Sequence, residues 1–197
     1  MSARTIVFIG DSITDSDRLR SSDGLGAGYV SLLASRPELA GWAVLNRGVS
    51  GNRVRDLQAR WDEDLVSLSP DAVSIFVGIN EVWRRFDSDD PTSDEDFAAG
   101  YRALLDTLTG IPVVLIEPFL LPKDDEQAGY GDELAGKIAV VRGLAAEYGA
   151  VLVPAHDIMT AAGDATALAP DGVHPNDAGH HLLADAWLEH ARPILGR

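Results

Sequence analysis

Five short apolar runs, separated by segments with helical spacing, constrain the fold of this chain more than any other feature. Most of the runs are rich in valine and isoleucine and poor in charge, which is typical of strands buried on both faces. Because such strands alternate with helical segments, we expect an α/β fold with a five-stranded parallel sheet covered by helices on both sides. The predicted strands cover residues 5–9, 43–45, 72–77, 112–116 and 150–153.

The segments between these runs carry apolar residues three and four positions apart, which is the spacing of one buried helix face. Trp61 and Trp187 lie on these apolar stripes and are predicted to be core residues. Residues 117–131 lack a clear periodicity and are predicted to form a loop at the rim of the sheet. The predicted helices cover residues 54–68, 97–108 and 134–148, with a last helix from about residue 176 onward.

A chain of 197 residues fits one domain, so we expect residues 1–197 to form a single domain. Its 16 lysines and arginines against 31 aspartates and glutamates give a net charge of −15, which disfavours nucleic acid or an anionic membrane as a partner. Cysteine is absent, which excludes disulfides and a thiol nucleophile. We find no signal-peptide pattern and no apolar run of membrane-spanning length, and therefore expect a soluble, cytoplasmic protein.

Polar residues follow the first three runs, at the edge where parallel sheets bind ligands. Gly10-Asp11-Ser12 follows the first run, and a serine at such a tight turn exposes both its hydroxyl and its backbone N–H. The second run leads into a loop with Gly48, whose N–H can approach a substrate closely, and the third leads to the side-chain amide of Asn80. These residues supply a nucleophile and three donors for a developing oxyanion.

An acid and an imidazole follow the fifth run. Asp171 and His174 are three residues apart, so the carboxylate can accept a hydrogen bond from one ring nitrogen and leave the other to take a proton from Ser12. A nucleophile, a base, an orienting acid and oxyanion donors would then share one sheet edge. That set of groups indicates acyl transfer.

The order of these blocks resembles that of the SGNH or GDSL-type hydrolase superfamily, and the resemblance spans residues 6 to about 190. The blocks are Gly10-Asp11-Ser12, Gly48, Gly78-x-Asn80 and Asp171-x-x-His174. The stretches that look most like the branch containing intracellular acetylxylan esterases are residues 8–15, 26–30, 46–57 and 78–84.

The resemblance implies a three-layer α/β/α sandwich of flavodoxin-like type and ester hydrolysis through an acyl-enzyme, with no metal or other cofactor. It implies Ser12 as the nucleophile, Asp171 and His174 as its triad partners, and the Ser12 N–H, the Gly48 N–H and the Asn80 amide as the oxyanion hole. The implied substrates are short acyl esters, above all acetyl esters, of carbohydrates such as xylo-oligosaccharides. The resemblance also suggests a homo-oligomer.

Two positions depart from the pattern of the relatives. Glu81 follows Asn80 where many relatives carry aspartate, which would change how the loop is held without removing a reacting group. Ala169 and Pro170 precede Asp171 where some relatives carry an aromatic residue, so a sugar-stacking contact at that point does not transfer to this chain.

Four residues beside the predicted oxyanion donors are candidate contacts to the substrate. They are Asp11, Arg53, Trp83 and Arg84. The simpler interpretation is that the arginines pair with surface acids, that Trp83 packs against its neighbours, and that Asp11 accepts backbone hydrogen bonds and holds the turn.

Other functions remain open on the sequence alone. Ser12 by itself would be a helix N-cap, and Asp171 with His174 would fit a metal site if another histidine supplied a third ligand. Within enzymes the alternative is a short-chain lipase, thioesterase or arylesterase. Outside enzymes it is a flavodoxin-like carbohydrate-binding module. The acyl groove of a lipase would be formed by Val82, Trp83, Phe119 and Leu120.

Overall fold

The computed structural model describes residues 3–196, and within that range five strands form one parallel sheet. The strands are β1 Arg4–Gly10, β2 Trp42–Gly48, β3 Ala72–Phe76, β4 Val113–Ile116 and β5 Val151–Val153. Their order across the sheet is β2-β1-β3-β4-β5. All five predicted strands are confirmed.

Helices connect the strands and follow the last of them. They are α1 Ser12–Asp15, α2 Tyr29–Ala34, α3 Val54–Asp64, α4 Ile79–Asp87, α5 Asp94–Leu105, α6 Asp125–Ala128, α7 Gly131–Tyr148, α8 Ala155–Ala162, α9 Ala165–Leu168 and α10 Asp177–Leu195. Each predicted helix corresponds to one of these, namely α3, α5, α7 and α10. Within residues 3–196, no helix is long and apolar enough to cross a bilayer.

Alternate residues of the strands pack on opposite faces of the sheet. Ile6 and Phe8 of β1 belong to a core shared with α2 and α10, whereas Val7 and Ile9 belong to a second core shared with α3 and α5. Trp61 and Trp187 are buried, as predicted. The expected α/β fold, with helices on both faces of a parallel sheet, is confirmed.

The strand order reverses at β1, and this reversal determines where a ligand can bind. From β1 the chain moves to β2 on one side and then crosses to β3 on the other, so Gly10 lies opposite both Gly48 and Phe76. Loops diverge at such a point, and open α/β sheets bind ligands in the resulting crevice. The residues that follow β1, β2 and β3 are therefore brought to one edge.

Two segments differ from the sequence expectation. Asn80, which follows the third predicted strand, lies in the first turn of a helix that was not predicted, α4, whose N-cap Gly78 has a φ of +137°. The predicted rim loop of residues 117–131 contains the short helix α6. The first residue of the predicted loop, Glu117, is fully buried and accepts a hydrogen bond from Arg142 at 2.5 Å.

A buried hydrogen bond from Trp187 to Ser74 ties α10 to the centre of the sheet, with 3.0 Å between Nε1 and Oγ. Ser74→Ala leaves the indole N–H without an acceptor, so we expect the free energy of unfolding to fall by about 1–3 kcal/mol. Urea denaturation measures this loss, and Ser67→Ala, which removes an exposed hydroxyl, is the matched control. A loss no larger than that of the control would contradict a stabilising role for the bond.

Candidate active site

The turn between β1 and α1 sets the position of Ser12. A Cβ on Gly10 would lie 2.1 Å from the carbonyl oxygen of Phe76, so a larger residue requires the backbone to move. Asp11 N–H donates to the same oxygen at 3.3 Å, and Asp11 Oδ1 accepts the N–H of Ile13 at 3.0 Å as the N-cap of α1. Ser12 therefore begins α1 at the edge of the sheet, and no acceptor within residues 3–196 takes its N–H.

Three side chains from distant parts of the chain form a hydrogen-bonded series at this edge. Ser12 Oγ lies 2.9 Å from His174 Nε2, and His174 Nδ1 lies 2.6 Å from Asp171 Oδ2. Because the carboxylate accepts the proton on Nδ1, Nε2 is left to accept the serine hydroxyl proton. The structure thus brings together the three residues that the sequence predicts as a triad.

The surroundings of Asp171 keep its carboxylate charged. Partial burial raises its pKa, but hydrogen bonds from the His174 side chain and from the backbone N–H groups of His174 and Val173 together lower it more, and the net pKa is below the usual value. These backbone N–H groups lie 2.7 Å and 2.9 Å from Oδ1. Asp171 is therefore an acceptor for the imidazole at neutral pH.

Gln127 holds the loop that carries Asp171 and His174, and sequence reasoning missed it. Gln127 Nε2 donates to the backbone oxygen of Asp171 at 2.8 Å, and Leu121 N–H donates to the backbone oxygen of Gly172 at 2.9 Å. Gly172 has a φ of +92°, and a Cβ there would lie 2.2 Å from Gln127 Oε1. No sequence pattern around Gln127 indicated a supporting role, since this residue lies in the segment without periodicity.

A cavity of about 410 Å³ opens beside Ser12. Besides the three residues of the series, it presents the Asn80 amide, the Trp83 ring and two cations, Arg84 and Lys123. The complete lining is Ser12, Ser50, Gly51, Ile79, Asn80, Trp83, Arg84, Lys123, Asp171, Val173 and His174.

A second cavity, of about 370 Å³, lies beside α7 and α8 and is lined largely by apolar side chains such as Leu134 and Ile138. Neither Ser12 nor His174 lines it. Because the reacting groups are absent from its wall, this cavity is not the site of acyl transfer.

Gly48 is not part of the site, and the prediction that its N–H belongs to the oxyanion hole is wrong. Gly48 ends β2, and its N–H donates to Asn46 Oδ1 at 2.8 Å. A Cβ on Gly48 would lie 2.1 Å from the backbone nitrogen of Asp15. The glycine is thus needed where β2 packs against the backbone of α1, and its N–H is already used.

Gly51, three residues later, lines the cavity instead. It lies in a turn in which Asn52 N–H donates to Val49 O at 3.2 Å, and its φ of +82° is in the left-handed region that favours glycine. No acceptor within residues 3–196 takes its N–H. The available sequence signal was the Gly-Asn pair, which is typical of a turn.

The Asn80 side chain lies where the sequence predicts an amide donor. Its Nδ2 donates to the backbone oxygen of Asn52 at 3.1 Å. An amide group has two N–H donors, so this bond fixes the orientation of the side chain and leaves one hydrogen for a ligand in the cavity.

Of the four candidate substrate contacts, two line the cavity and two do not. Trp83 and Arg84 line the cavity, so their contact with substrate stays a prediction. Asp11 is fully buried beneath the turn, and the prediction that it contacts substrate is wrong. Arg53 is also misassigned, because it is 5% exposed and its guanidinium donates to the carboxylate of Asp90 at 2.7 Å.

The acyl groove expected of a lipase is not formed. Val82, Phe119 and Leu120 are all buried in the core, with exposures of 0%, 0% and 1%. Trp83 alone of the four predicted residues lines the cavity.

The other histidines do not form a metal site with Asp171 and His174 in the described part of the chain. Within residues 3–196, no three His, Asp or Glu side chains are grouped so that they could hold a metal ion. Burial lowers the pKa of His180 to about 4, and its Nδ1 accepts the N–H of Tyr29 at 3.2 Å. His180 therefore holds the start of α2 as a neutral acceptor.

The chain is similar in sequence and in structure to known esterases. The profile of the GDSL-like lipase/acylhydrolase family matches residues 8–182. An acetylxylan esterase of Geobacillus stearothermophilus is 39% identical over an alignment of 211 positions, which covers 95% of this chain and 93% of that protein.

Two solved structures extend this similarity. Both are described as catalytic mutants of Axe2, an acetylxylan esterase from Geobacillus stearothermophilus. The mutant in which a serine is replaced by alanine has a TM-score of 0.85 at 35% identity and covers 99% of this chain and 95% of that one. The mutant in which a histidine is replaced by alanine has a TM-score of 0.82 at 35% identity, with coverages of 96% and 94%.

Gly172 offers a test of how the loop positions His174. Gly172→Ala places a Cβ against Gln127 in addition to straining a left-handed backbone, so we expect ester hydrolysis to fall by roughly 100-fold as the imidazole moves. Gly110→Ala is the matched control, because its φ of +82° carries the same backbone strain and no atom lies within 4 Å of its Cβ position. Equal activity in the two variants would contradict the proposed support of the loop.

Proposed function

This chain belongs to the GDSL-like lipase/acylhydrolase family of carboxylic ester hydrolases, and we propose that it removes acetyl groups from hydroxylated carbohydrates such as xylo-oligosaccharides. The observation that carries the proposal is the hydrogen-bonded series from Ser12 through His174 to Asp171 beside an open cavity. The similarity to an acetylxylan esterase supports the acetyl ester of a sugar as the substrate.

In the first half of the reaction, Ser12 Oγ attacks the ester carbonyl carbon while His174 Nε2 takes the hydroxyl proton. Asp171 keeps the imidazole in the required tautomer and stabilises the imidazolium that forms. The tetrahedral intermediate then collapses, and His174 donates its proton to the departing sugar oxygen. The product of this step is an acyl-enzyme on Ser12.

The oxyanion of the tetrahedral intermediate is stabilised by donors from three segments of the chain. We assign this role to the N–H of Ser12, the N–H of Gly51 and the remaining amide hydrogen of Asn80. Support for Gly51 comes from its position in the cavity wall and from an N–H that no described residue accepts. Donors fixed before the reaction need no reorganisation in the transition state, which is why such groups have large effects on rate.

In the second half, water replaces the sugar. His174 takes a proton from a water molecule, the hydroxide attacks the acyl carbon, and Ser12 leaves with the proton from the imidazole. Acetic acid is released and ionises to acetate in solution, and the hydrogen-bonded series returns to its initial state.

The cavity supports a short acyl group rather than a long one. Three of the apolar residues that would line an acyl groove are buried, and polar groups from Ser50, Asn80 and Lys123 occupy the cavity wall. With a net charge of −15, the protein as a whole also favours neutral substrates over polyanions.

We further propose that residues 1–197 act as one domain, since both apolar cores share a single sheet. The homo-oligomer and the cytoplasmic location expected from the sequence stay predictions.

The substrate assignment predicts a preference for small acyl groups and for sugar esters. We expect faster hydrolysis of the acetyl than of the octanoyl nitrophenyl ester, and release of acetate from peracetylated xylobiose. Initial rates with equal substrate concentrations measure this, with Ser12→Ala as the inactive control. A preference for the octanoyl ester would favour the lipase alternative and contradict the proposal.

The oxyanion assignment predicts that Asn80→Ala acts on the transition state. We expect kcat to fall by about 10²–10³ with KM nearly unchanged, because a donor used only by the oxyanion is lost. Steady-state kinetics test this, and circular dichroism checks that the fold is retained. A raised KM with unchanged kcat would mean that Asn80 binds the ground state instead.

A further inference from the structure

Three buried side-chain atoms near the nucleophile turn have no hydrogen-bond partner within residues 3–196. They are Asp11 Oδ2, Glu81 Oε2 and the hydroxyl of Tyr101. The three residues are 0%, 1% and 0% exposed. A buried polar group without a partner costs about 1–3 kcal/mol, so three such groups together require an explanation.

The three groups lie within electrostatic reach of one another. Burial raises the pKa of Asp11 to about 7, and the charge of Glu81 raises it as well, against the lowering effect of the Ile13 N–H. Burial likewise raises the pKa of Tyr101, and both carboxylates add to that effect. Asp11, Glu81 and Tyr101 thus form one group, which we call the acid cluster.

Each carboxylate of the acid cluster holds a helix start with its other oxygen. Asp11 Oδ1 accepts the N–H of Ile13 in α1, and Glu81 Oε1 accepts the N–H of Val54, the first residue of α3, at 2.7 Å. The same segments carry the assigned oxyanion donors, since α1 begins with Ser12, Glu81 follows Asn80, and α3 follows the Gly51 turn. The acid cluster therefore joins the three segments whose relative position defines the oxyanion hole.

A small cavity reaches one member of the acid cluster, Glu81. It has a volume of about 220 Å³, lies between the start of α3 and α5, and includes Glu81 in its wall. Arg53, Asp96 and Phe97 line it as well. A polar wall with unpartnered groups behind it is the setting in which buried water molecules are found.

We propose that the acid cluster binds one buried water molecule and so fixes the position of the oxyanion donors. One of its two carboxyl groups keeps its proton near neutral pH. The water accepts hydrogen bonds from the Tyr101 hydroxyl and from the protonated one of the two carboxyl groups, and it donates a hydrogen bond to the free oxygen of the other carboxylate. Three hydrogen bonds are typical of a buried water, and this arrangement gives each of the three atoms a partner. Only one part of the proposal, the effect on the oxyanion donors, rests on the proposed esterase function.

Burial of the two carboxyl groups, together with the charge of Glu81 beside Asp11, favours retention of the proton. Burial raises the pKa of Glu81 to about 7, the Val54 N–H and Lys137 lower it, and Asp56 raises it. Two neighbouring buried carboxyl groups do not both ionise readily, because each charge disfavours the other. Tyr29 lies near Asp11 and has its pKa raised, first by burial, so it stays neutral.

The retained proton is tested by the pH dependence of stability. Because the folded chain binds protons that the unfolded chain releases, the free energy of unfolding should fall as pH rises from about 4.5 to about 7. Glu81→Gln keeps an acceptor for Val54 N–H but cannot ionise, so this variant should lose part of that fall. Infrared difference spectra should show the carbonyl stretch of a protonated carboxyl group at pH 6, weakened in Glu81→Gln.

A high-resolution crystal structure tests the water directly. We expect one water within hydrogen-bond distance of Asp11, Glu81 and Tyr101, and its loss or displacement in Tyr101→Phe. The proposal is overturned if no water is bound there, or if the pH dependence of unfolding is the same in Glu81→Gln and the unaltered chain. These readouts do not use activity, so they decide on the acid cluster even if the esterase proposal fails.

The effect on the oxyanion donors is tested by kinetics with Tyr101→Phe. We expect kcat to fall by roughly tenfold with KM unchanged, because the donors move but are not removed. Tyr148→Phe, which loses an exposed hydroxyl bound to Asp106, is the matched control and should leave kcat unchanged. Unchanged kcat in Tyr101→Phe would overturn the positioning role. An equal loss of activity in both variants would show that the effect is not particular to the acid cluster, which would also overturn that role.

Discussion

The close approach of β1 to the end of β3 is the constraint on which the whole site depends. Gly10 allows it, because any Cβ at that position would meet the Phe76 carbonyl oxygen at 2.1 Å. The chain then turns sharply, with Asp11 bonded to the same oxygen and capping α1, and Ser12 emerges at the open edge of the sheet. From there the imidazole of His174, held by its carboxylate partner, reaches the hydroxyl at 2.9 Å.

Much of this arrangement follows from local sequence. Short apolar runs that alternate with helical segments are typical of α/β proteins, so the five strands could be located from composition and spacing, including the partly exposed edge strands β2 and β5. The hydrogen-bonded series was also predictable, because Ser12 lies in the Gly-Asp-Ser turn after the first apolar run and because Asp171 and His174 are three residues apart. A parallel sheet then brings the ends of its strands to one edge, whatever the sequence between them.

The sequence-based predictions that were wrong or missing concern residues whose role depends on contacts between distant segments. The sequence alone does not distinguish Gly48 from Gly51 as an oxyanion donor. In the structure, Gly48 is required where β2 packs against α1 and its N–H is bonded to Asn46, whereas Gly51 lies in a turn that lines the cavity. Burial of Arg53 follows from its pairing with Asp90, 37 residues away. Gln127 likewise acts through a loop far from it in sequence. Local patterns carry no information on such pairings.

The most direct test of the central claim is labelling with a fluorophosphonate, which reacts with a serine only when a neighbouring base activates it. Mass spectrometry of peptides from the labelled protein identifies the modified residue. The account predicts one adduct, on Ser12, that forms far more slowly in His174→Ala. Absence of an adduct on the folded protein, or an adduct on Ser50 instead, would contradict it.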